Sequence, residues 1–342
     1  MKIEISLKNF SAIREANLIT TNTPVFLVAP NKCGKTQILY LLYAVFWTAW
    51  RALREIQNRQ FDPWKEFQNK ARRLFLVGSS SKKLDFSSWF ADELPHYEIK
   101  IFDEQEAVLF LLNQNHFELT SYPEIEKIFS SEPVFIAPAG LGDYYKGIWS
   151  LKKYHPDWTV VPDTVIDFMT NLITSNARSP KWAKEILEIL EDELGVSFSV
   201  KQERIFVSEH KSKYPIEQAA SGLKSLSFLY LGLKHGLISQ LLFLDEPEVN
   251  LHPQYLKLLA QIIYLLTQKG IKIFVATHSD YLLEAYNEFI KKHDLKADVW
   301  VGRITKEGAI YEYYEANKEN MIDVSPLAEV YKEILRGIYA ND

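Results

Sequence analysis

The segment VFLVAPNKCGKTQ, residues 25–37, sets the tightest limit on how the chain folds. Val25 to Ala29 form the short, continuous apolar run of a strand buried on both faces. A polar loop follows, then Gly34-Lys35-Thr36 at the start of a segment that reads as a long helix from Lys35 to about Gln57. A strand, a tight loop and a helix start in that order turn backbone N–H groups inward around phosphate oxygens. Residues Ala29 to Thr36 fit such a phosphate loop, with alanine in the first glycine position. Gly34 lets the backbone approach the ligand without a side-chain clash. Lys35 is placed to reach β- and γ-phosphates, and the Thr36 hydroxyl to coordinate Mg²⁺. The expected nucleotide contacts are Ala29, Pro30, Asn31, Lys32, Cys33, Gly34, Lys35, Thr36 and Gln37. Lys32 reads either as a phosphate contact or as a side chain in solvent. Cys33 reads as a redox-sensitive gate or simply as a small loop residue.

A second apolar strand, in LLFLDEPEVNLHP at 241–253, runs straight into Asp245 and Glu246, and a third, 271–276, ends in Thr277-His278-Ser279. In a parallel sheet the carboxyl ends of the strands share one edge, and ligands bind there. Side by side, the three strands would bring their polar ends to one site. Asp245 would then face the Mg²⁺ held by Thr36, directly or through water. Glu246 could orient or deprotonate an attacking water, and His278 could hydrogen-bond the γ-phosphate or that water. Such a group works by positioning and charge stabilisation. The plainer alternative for Asp245-Glu246 is a solvated turn, which Pro247 also marks. His252 reads either as a helix-start residue or as part of a subunit contact.

The rest of the chain supplies a frame. Ile3, Ile5 and Leu7 alternate with polar residues as in a half-buried strand, and a second strand covers Glu15 to Thr20. HYEIKIF, AVLFLLN and HFELT read as antiparallel strands and VFIAP, residues 134–138, as another apolar one. Residues 162–194 read as two helices broken near Ser179-Pro180. VSFSV and RIFVS form a hairpin pair. From Ser221 the pattern alternates: helix 221–238, strand 241–245, helix 253–268, strand 271–276, helix 279–292. That alternation implies parallel strands with crossover helices.

Composition excludes several classes. With 47% hydrophobic and 24% charged residues, the 342-residue chain is globular rather than disordered. A net charge of -5 makes it no general magnet for nucleic acid. One cysteine excludes an internal disulfide framework. The longest apolar run, Ile38 to Trp50, is shorter than the roughly 20 residues that span a bilayer, and the amino terminus lacks a signal-peptide core. The expectation is a cytoplasmic protein with no membrane segment.

The same segments resemble the ABC-type ATPases, in the branch of the OLD (overcoming lysogenisation defect) and related AAA-like proteins, which is related to SMC- and RecF-type ATPase heads. KIEISLKNFSAIREANL is similar to the opening strands of that group, with Asn9-Phe10 as its usual pair. APNKCGKT resembles its Walker A segment, QAASGLKSLSFLYLGL its signature segment with Ser221-Gly222 as the key pair, LLFLDEPEVNLHP its Walker B and D-loop, and VATHSDYLL its switch histidine. The resemblance implies an α/β P-loop NTPase with a two-lobe, ABC-ATPase-like head: a mixed sheet, an antiparallel β subdomain and a helical insertion. One ATPase domain would span 1–342, with a β-rich and mixed insertion at 58–130 and a helical one at 160–195. It implies ATP and Mg²⁺, and a head-to-tail homodimer in which each ATP lies between the loop of one subunit and Ser221-Gly222 of the other. Read alone, Ser221-Gly222 is equally an ordinary helix N-cap. The signature reads ASGLK rather than the two-glycine form. The Mg²⁺-sensing glutamine of the family has no clear counterpart; APAGLGDYY, residues 137–145, is where it would lie. Sixty-four residues follow His278, too few for the Toprim nuclease domain of many OLD proteins. No long coiled coil is present.

Three functions fit. The first is an ATP-hydrolysing dimer acting as a switch or scaffold for a separate effector, as in phage-defence modules. The second is a DNA-repair or DNA-clamping ATPase, motivated by seven Lys/Arg against three Asp/Glu in residues 51–73, although a solvated helix face is the better reading of that excess. The third is a nucleotide sensor that binds ATP and hardly turns it over.

Overall fold

The computed structural model describes residues 1–55, 60–76, 95–102, 108–113, 116–119, 126, 129–137, 154, 161–175 and 178–324. The expected site of the Mg²⁺-sensing glutamine, from residue 138 onward, lies outside them.

Every residue of β3 (Val25–Val28) is buried, with Phe26 and Val28 in one apolar core and Val25 and Leu27 in the other. This strand sits inside an eleven-stranded mixed sheet. On one side it pairs in parallel with β12 (Lys272–Thr277), which pairs in parallel with β11 (Leu241–Asp245), which pairs in parallel with the edge strand β7 (Val134–Ile136). On its other side it pairs in parallel with β13 (Ala297–Thr305), one arm of an antiparallel hairpin with β14 (Gly308–Ala316). β14 joins β2 (Ile13–Thr20), and the sheet continues antiparallel through β1 (Lys2–Phe10), β4 (His96–Phe102), β5 (Val108–Asn113) and β6 (His116–Leu119).

Helices cover both faces, as buried parallel strands require. α1 (Lys35–Arg54) and α2 (Pro63–Leu74) belong to one core, where Phe46 packs on Phe243 of β11 and Phe274 of β12. On the other face lie α3 (Asp163–Thr174), α4 (Ala183–Leu194), α5 (Ser221–Lys234), α6 (Pro253–Gln268) and α7 (Asp280–His293). A small antiparallel sheet of β8 (Val196–Lys201), β9 (Arg204–Glu209) and β10 (Ser212–Pro215) joins that core. The expected alternation after Ser221 is present, with one shorter element: α5 stops at Lys234 because Gly236 takes a left-handed conformation and Leu237 N–H bonds back to the Gly232 carbonyl. The β13–β14 hairpin corresponds to no element read from the sequence.

One buried polar cluster ties the antiparallel and parallel halves together. Asp298 of β13 is fully buried and accepts from Thr20 Oγ1 at 2.6 Å, from the Thr21 and Asn22 backbone N–H groups at 2.7 Å each, and from Tyr313 OH at 3.2 Å. Lys272 Nζ donates to Thr20 Oγ1 at 2.7 Å and to the Asn22 carbonyl. Burial pulls the Lys272 ammonium down to about 8, and the Asp298 charge opposes that shift. A buried carboxylate holds its place only when its oxygens are satisfied in this way. Removing it strands several donors and a buried cation. Asp298→Ala is expected to destabilise the fold by about 3 kcal/mol, seen as a lowered denaturant midpoint; an unchanged midpoint would show that the cluster contributes nothing.

Candidate active site at the carboxyl edge of the parallel strands

Strand register sets the site. Val28 pairs with Thr277 and Asp245 with Ala276, so β3, β12 and β11 end level with one another. Past those ends lie the loop 29–34, Glu246 and His278. The structure thus brings the loop, both carboxylates and the histidine together on one edge.

The loop wraps into a left-handed turn. Lys32 has φ +70° and Gly34 φ +81°. A Cβ on Gly34 would stand 2.9 Å from Gln37 Oε1 and 3.1 Å from Ile13 Cγ1, so only glycine fits there. Lys32 and Asn31 are exposed. Cys33 is fully buried, and burial pushes its thiol above its ordinary range, which favours the small-residue reading over a reactive one. Gln37 lines the cleft, and its Oε1 accepts from the Ala12 N–H at 3.3 Å, which ties the start of α1 to the β1–β2 turn. An open cleft of about 490 Å³ lies over the loop, lined by residues 31–37 with Ala12 and Glu246.

Inside the cleft the charges are close. Lys35 Nζ donates to the Ala29 carbonyl at 2.8 Å and the Pro30 carbonyl at 3.2 Å, and stands 3.9 Å from Glu246 Oε1. Burial pulls its pKa down, and Glu246 foremost among the neighbouring acidic groups resists. Thr36 Oγ1 donates to Asp245, 2.9 Å from Oδ2 and 3.1 Å from Oδ1. Asp245 is only 2% exposed, and burial pushes its carboxyl up to about 7 against the pull of the Thr36 hydrogen bond. A divalent cation beside these oxygens would favour the ionised carboxylate and relieve that cost. His278 Nδ1 stands 3.4 Å from Glu246 Oε1.

Glu246 has φ +46° and Asn250 φ +66°, both in the left-handed region. That backbone turns the chain sharply after β11, and Glu246 N–H is anchored to the Ala276 carbonyl at 2.9 Å. His252 is a helix-start residue: its Nδ1 accepts from the Gln254 N–H at 3.3 Å as the N-cap of α6. Ser221 and Gly222 open α5 but do not line the cleft. Ser221 is exposed, and Ala220, one residue earlier, occupies the N-cap without a side-chain bond, so Ser221 is not the capping residue.

Three contributors escaped the sequence reading. Tyr311 of β14 is buried and donates its hydroxyl to the Cys33 carbonyl at 3.0 Å, gripping the loop from below. Gly302 of β13 makes room for it: a Cβ there would lie 2.6 Å from the Tyr311 ring and 2.9 Å from Ala29 Cβ. Glu248 lies buried behind His278. Only Glu248 left a trace in the sequence, as a third carboxylate within four residues. Among the described residues no group of three or more His, Cys, Asp or Glu forms a metal centre, and no helix is long and apolar enough to cross a membrane. Tyr311→Phe removes one neutral hydrogen bond that shapes the loop, so stability should fall by about 1 kcal/mol and triphosphate affinity should fall, by at most about fivefold, in a binding titration. Equal affinity would mean that the loop holds its shape without Tyr311.

A family model described as "AAA domain, putative AbiEii toxin, Type IV TA system" matches residues 30–284. No curated protein matches the chain. Among solved structures it is similar to the SmcHead bound to the C-winged helix domain of ScpA, at 14% identity and a TM-score of 0.46, covering 92% of this chain and 98% of that one. It is similar to the SMC head domain from Thermotoga maritima at 12% identity and a TM-score of 0.45, covering 92% and 100%. It is also similar to the Smc head domain with an extended coiled coil bound to the C-terminal domain of ScpA derived from Pyrococcus furiosus, at 12% identity and a TM-score of 0.44, covering 98% and 100%. Because the family match runs from the phosphate loop to the helix beyond His278, well over half of the sequence, the chain belongs to this family of AAA domains, and its mixed α/β architecture is that of an ABC-like P-loop nucleoside triphosphatase.

Proposed function

We propose that the protein hydrolyses ATP to ADP and phosphate with Mg²⁺, as a homodimer that acts as a nucleotide-driven switch or scaffold for a separate effector. The observation that carries this reading is the contact of Thr36 with the buried Asp245 at 2.9 Å, with Lys35 and Glu246 lining the same cleft and His278 3.4 Å from Glu246. A hydroxyl and one carboxylate suit Mg²⁺, which takes one or two protein oxygens and keeps waters and phosphate oxygens for the rest. Thr36 and Asp245 would hold the ion, which neutralises phosphate charge when bound. Loop N–H groups of residues 29–36 and the Lys35 ammonium bind the phosphates. Glu246 orients the attacking water and takes its proton, and His278 hydrogen-bonds the γ-phosphate or that water. The chemistry needs little more than this placement, since phosphoryl transfer is accelerated mainly by position and charge.

The homodimer is part of the same proposal, supported by the position of the helix start at Ser221. Ser221, exposed, and Gly222, half-buried, are not among the residues lining the cleft; they open a helix whose first N–H groups have no intrahelical acceptor. A second copy docked head to tail would present them to the γ-phosphate. A separate effector, in a phage-defence type of module, is the part of this proposal for which the toxin–antitoxin wording of the family description gives the only support. The lone cysteine is compatible with a cytoplasmic setting. We take residues 58–130 and 160–195 as insertions within one ATPase domain spanning 1–342.

The DNA-clamping alternative draws least support. Within 51–73, Lys70 binds Asp167 at 2.5 Å and Asp163 at 3.2 Å, Arg73 binds Asp163 at 2.5 Å, Arg51 pairs with Glu55 at 2.9 Å, and Arg54 lies over the Trp50 ring. Of these, Lys70 is buried and Arg73 is tied to the buried Asp163, while Arg51 and Arg54 are held by neighbours on their own helix at the surface.

Glu246→Gln should lower phosphate release about 100-fold or more, as expected for loss of a general base, keep ATP affinity within a few-fold, and accumulate an ATP-bound dimer on sedimentation. Equal phosphate release by wild type and variant would overturn hydrolysis at this site. Wild-type release indistinguishable from background would leave the nucleotide-sensor alternative standing in its place.

A further inference from the structure

Glu248 has chemistry that the proposed mechanism does not use. It is a glutamate with 9% exposure in the turn after β11, three residues past Asp245. Its Oε1 accepts from Thr277 Oγ1 at 2.7 Å and from the His278 backbone N–H at 3.0 Å. The same oxygen stands 3.6 Å from His278 Nδ1, and Glu246 Oε1 stands 3.4 Å from that nitrogen. Glu248 Oε2 is buried and has no hydrogen-bond partner among the described residues. A carboxylate is costly to bury, and a half-satisfied one costs more than an apolar side chain of the same size. Stability alone therefore gives no reason for a glutamate here.

The position of this side chain supplies a reason. It crosses from the turn after β11 to the end of β12, two segments otherwise joined at this level by the Glu246 N–H bond to the Ala276 carbonyl. Its own turn is pinned at the far end as well. Ser225 Oγ of α5 donates to the Val249 carbonyl at 2.8 Å, and the Asn250 carbonyl packs against Gly222, 3.2 Å from where a Cβ would sit. One continuous path of hydrogen bonds and packing thus leads from His278 through Glu248 and the turn to the start of α5.

Resting on the ATPase reading above, we propose that Glu248 is a positioning residue for hydrolysis: its buried carboxylate clamps Thr277 and the His278 backbone to the turn after β11, fixing His278 relative to Glu246 and to the Ser221-Gly222 helix start. Its role is indirect: Glu248 is not among the residues lining the cleft, and it sets where His278 and the helix start stand. A displacement of an ångström or less at such groups is enough to cost orders of magnitude in rate. Substrate affinity, which rests on the loop and Lys35, is left nearly alone.

Three variants test this by steady-state kinetics, with Glu246→Gln as reference. Glu248→Ala removes the acceptor for both bonds and should lower kcat about 30- to 100-fold while KM for ATP moves less than threefold. Glu248→Gln keeps an Oε1 acceptor in the same place and should restore kcat to within about fivefold of wild type. Thr277→Val removes one of the two bonds and should fall between them. ATP binding by each variant serves as the check on folding, and Glu248→Gln with Thr277→Val carries the test if Glu248→Ala does not fold. If Glu246→Gln abolishes turnover but Glu248→Ala stays within twofold of wild type, the clamp is wrong and the ATPase reading stands. A glutamine variant as impaired as the alanine one, or a loss confined to KM, also overturns the clamp. Absence of turnover in the wild type overturns both.

Discussion

The level ends of three parallel strands are the constraint on which the rest depends. Pairing Val28 with Thr277 and Ala276 with Asp245 leaves no freedom about which residues meet beyond the sheet edge. A one-residue slip of β11 would turn Asp245 to the opposite face and push Leu244 toward the loop. Apolar packing guards against that slip. The rings of Phe243 and Phe274 stack at 5.0 Å, and Phe135 of β7 stacks on Phe243 at 6.0 Å, so each strand's register is keyed to its neighbour's.

On that base, charge is concentrated where water has been excluded. Asp245, Glu248 and Lys35 are all buried, and each is shifted toward its neutral form by burial. Such a site is tense without a ligand. A triphosphate with its cation would add opposite charges beside Lys35 and Asp245, and between groups this buried those interactions are stronger than in bulk water. Backbone support comes from the β13–β14 hairpin, whose Tyr311 holds the Cys33 carbonyl and whose Asp298 anchors the segment leading into β3.

How much of this could be read from sequence follows from where each interaction lives. The loop, the Asp245-Glu246 pair and Thr277-His278 are local patterns at strand ends, so residues 25–37, 241–253 and 271–279 were legible. The helix boundaries followed from Gly34 at the start of α1, Pro253 at the start of α6 and the Ser279 cap of α7, whose Oγ accepts from the Leu282 N–H at 3.2 Å. The hairpin at 297–316 was missed, although ADVWVGRIT and GAIYEYYEA are rich in strand formers on either side of Lys306-Glu307. Tyr311 and Gly302 stayed hidden for a stronger reason. Their contacts with the loop join residues nearly 280 positions apart, and no local pattern announces such a pairing. The helix start at Asp62-Pro63 was available: the Asp62 side chain accepts from the Trp64 and Lys65 N–H groups. Charge counting in the same region cannot show which cations pair inside the chain: Lys70 and Arg73 of α2 meet Asp163 and Asp167, 90 to 97 residues away.

The central claim is that a buried carboxylate and the loop hydroxyl jointly hold the cation of a metal–triphosphate. Calorimetric titration of a slowly hydrolysed ATP analogue, with Mg²⁺ and with chelator, tests it most directly. The account predicts that Mg²⁺ tightens binding at least tenfold in the wild type and by less than twofold in Thr36→Ala and in Asp245→Asn. An Mg²⁺ dependence that survives undiminished in both variants would contradict it.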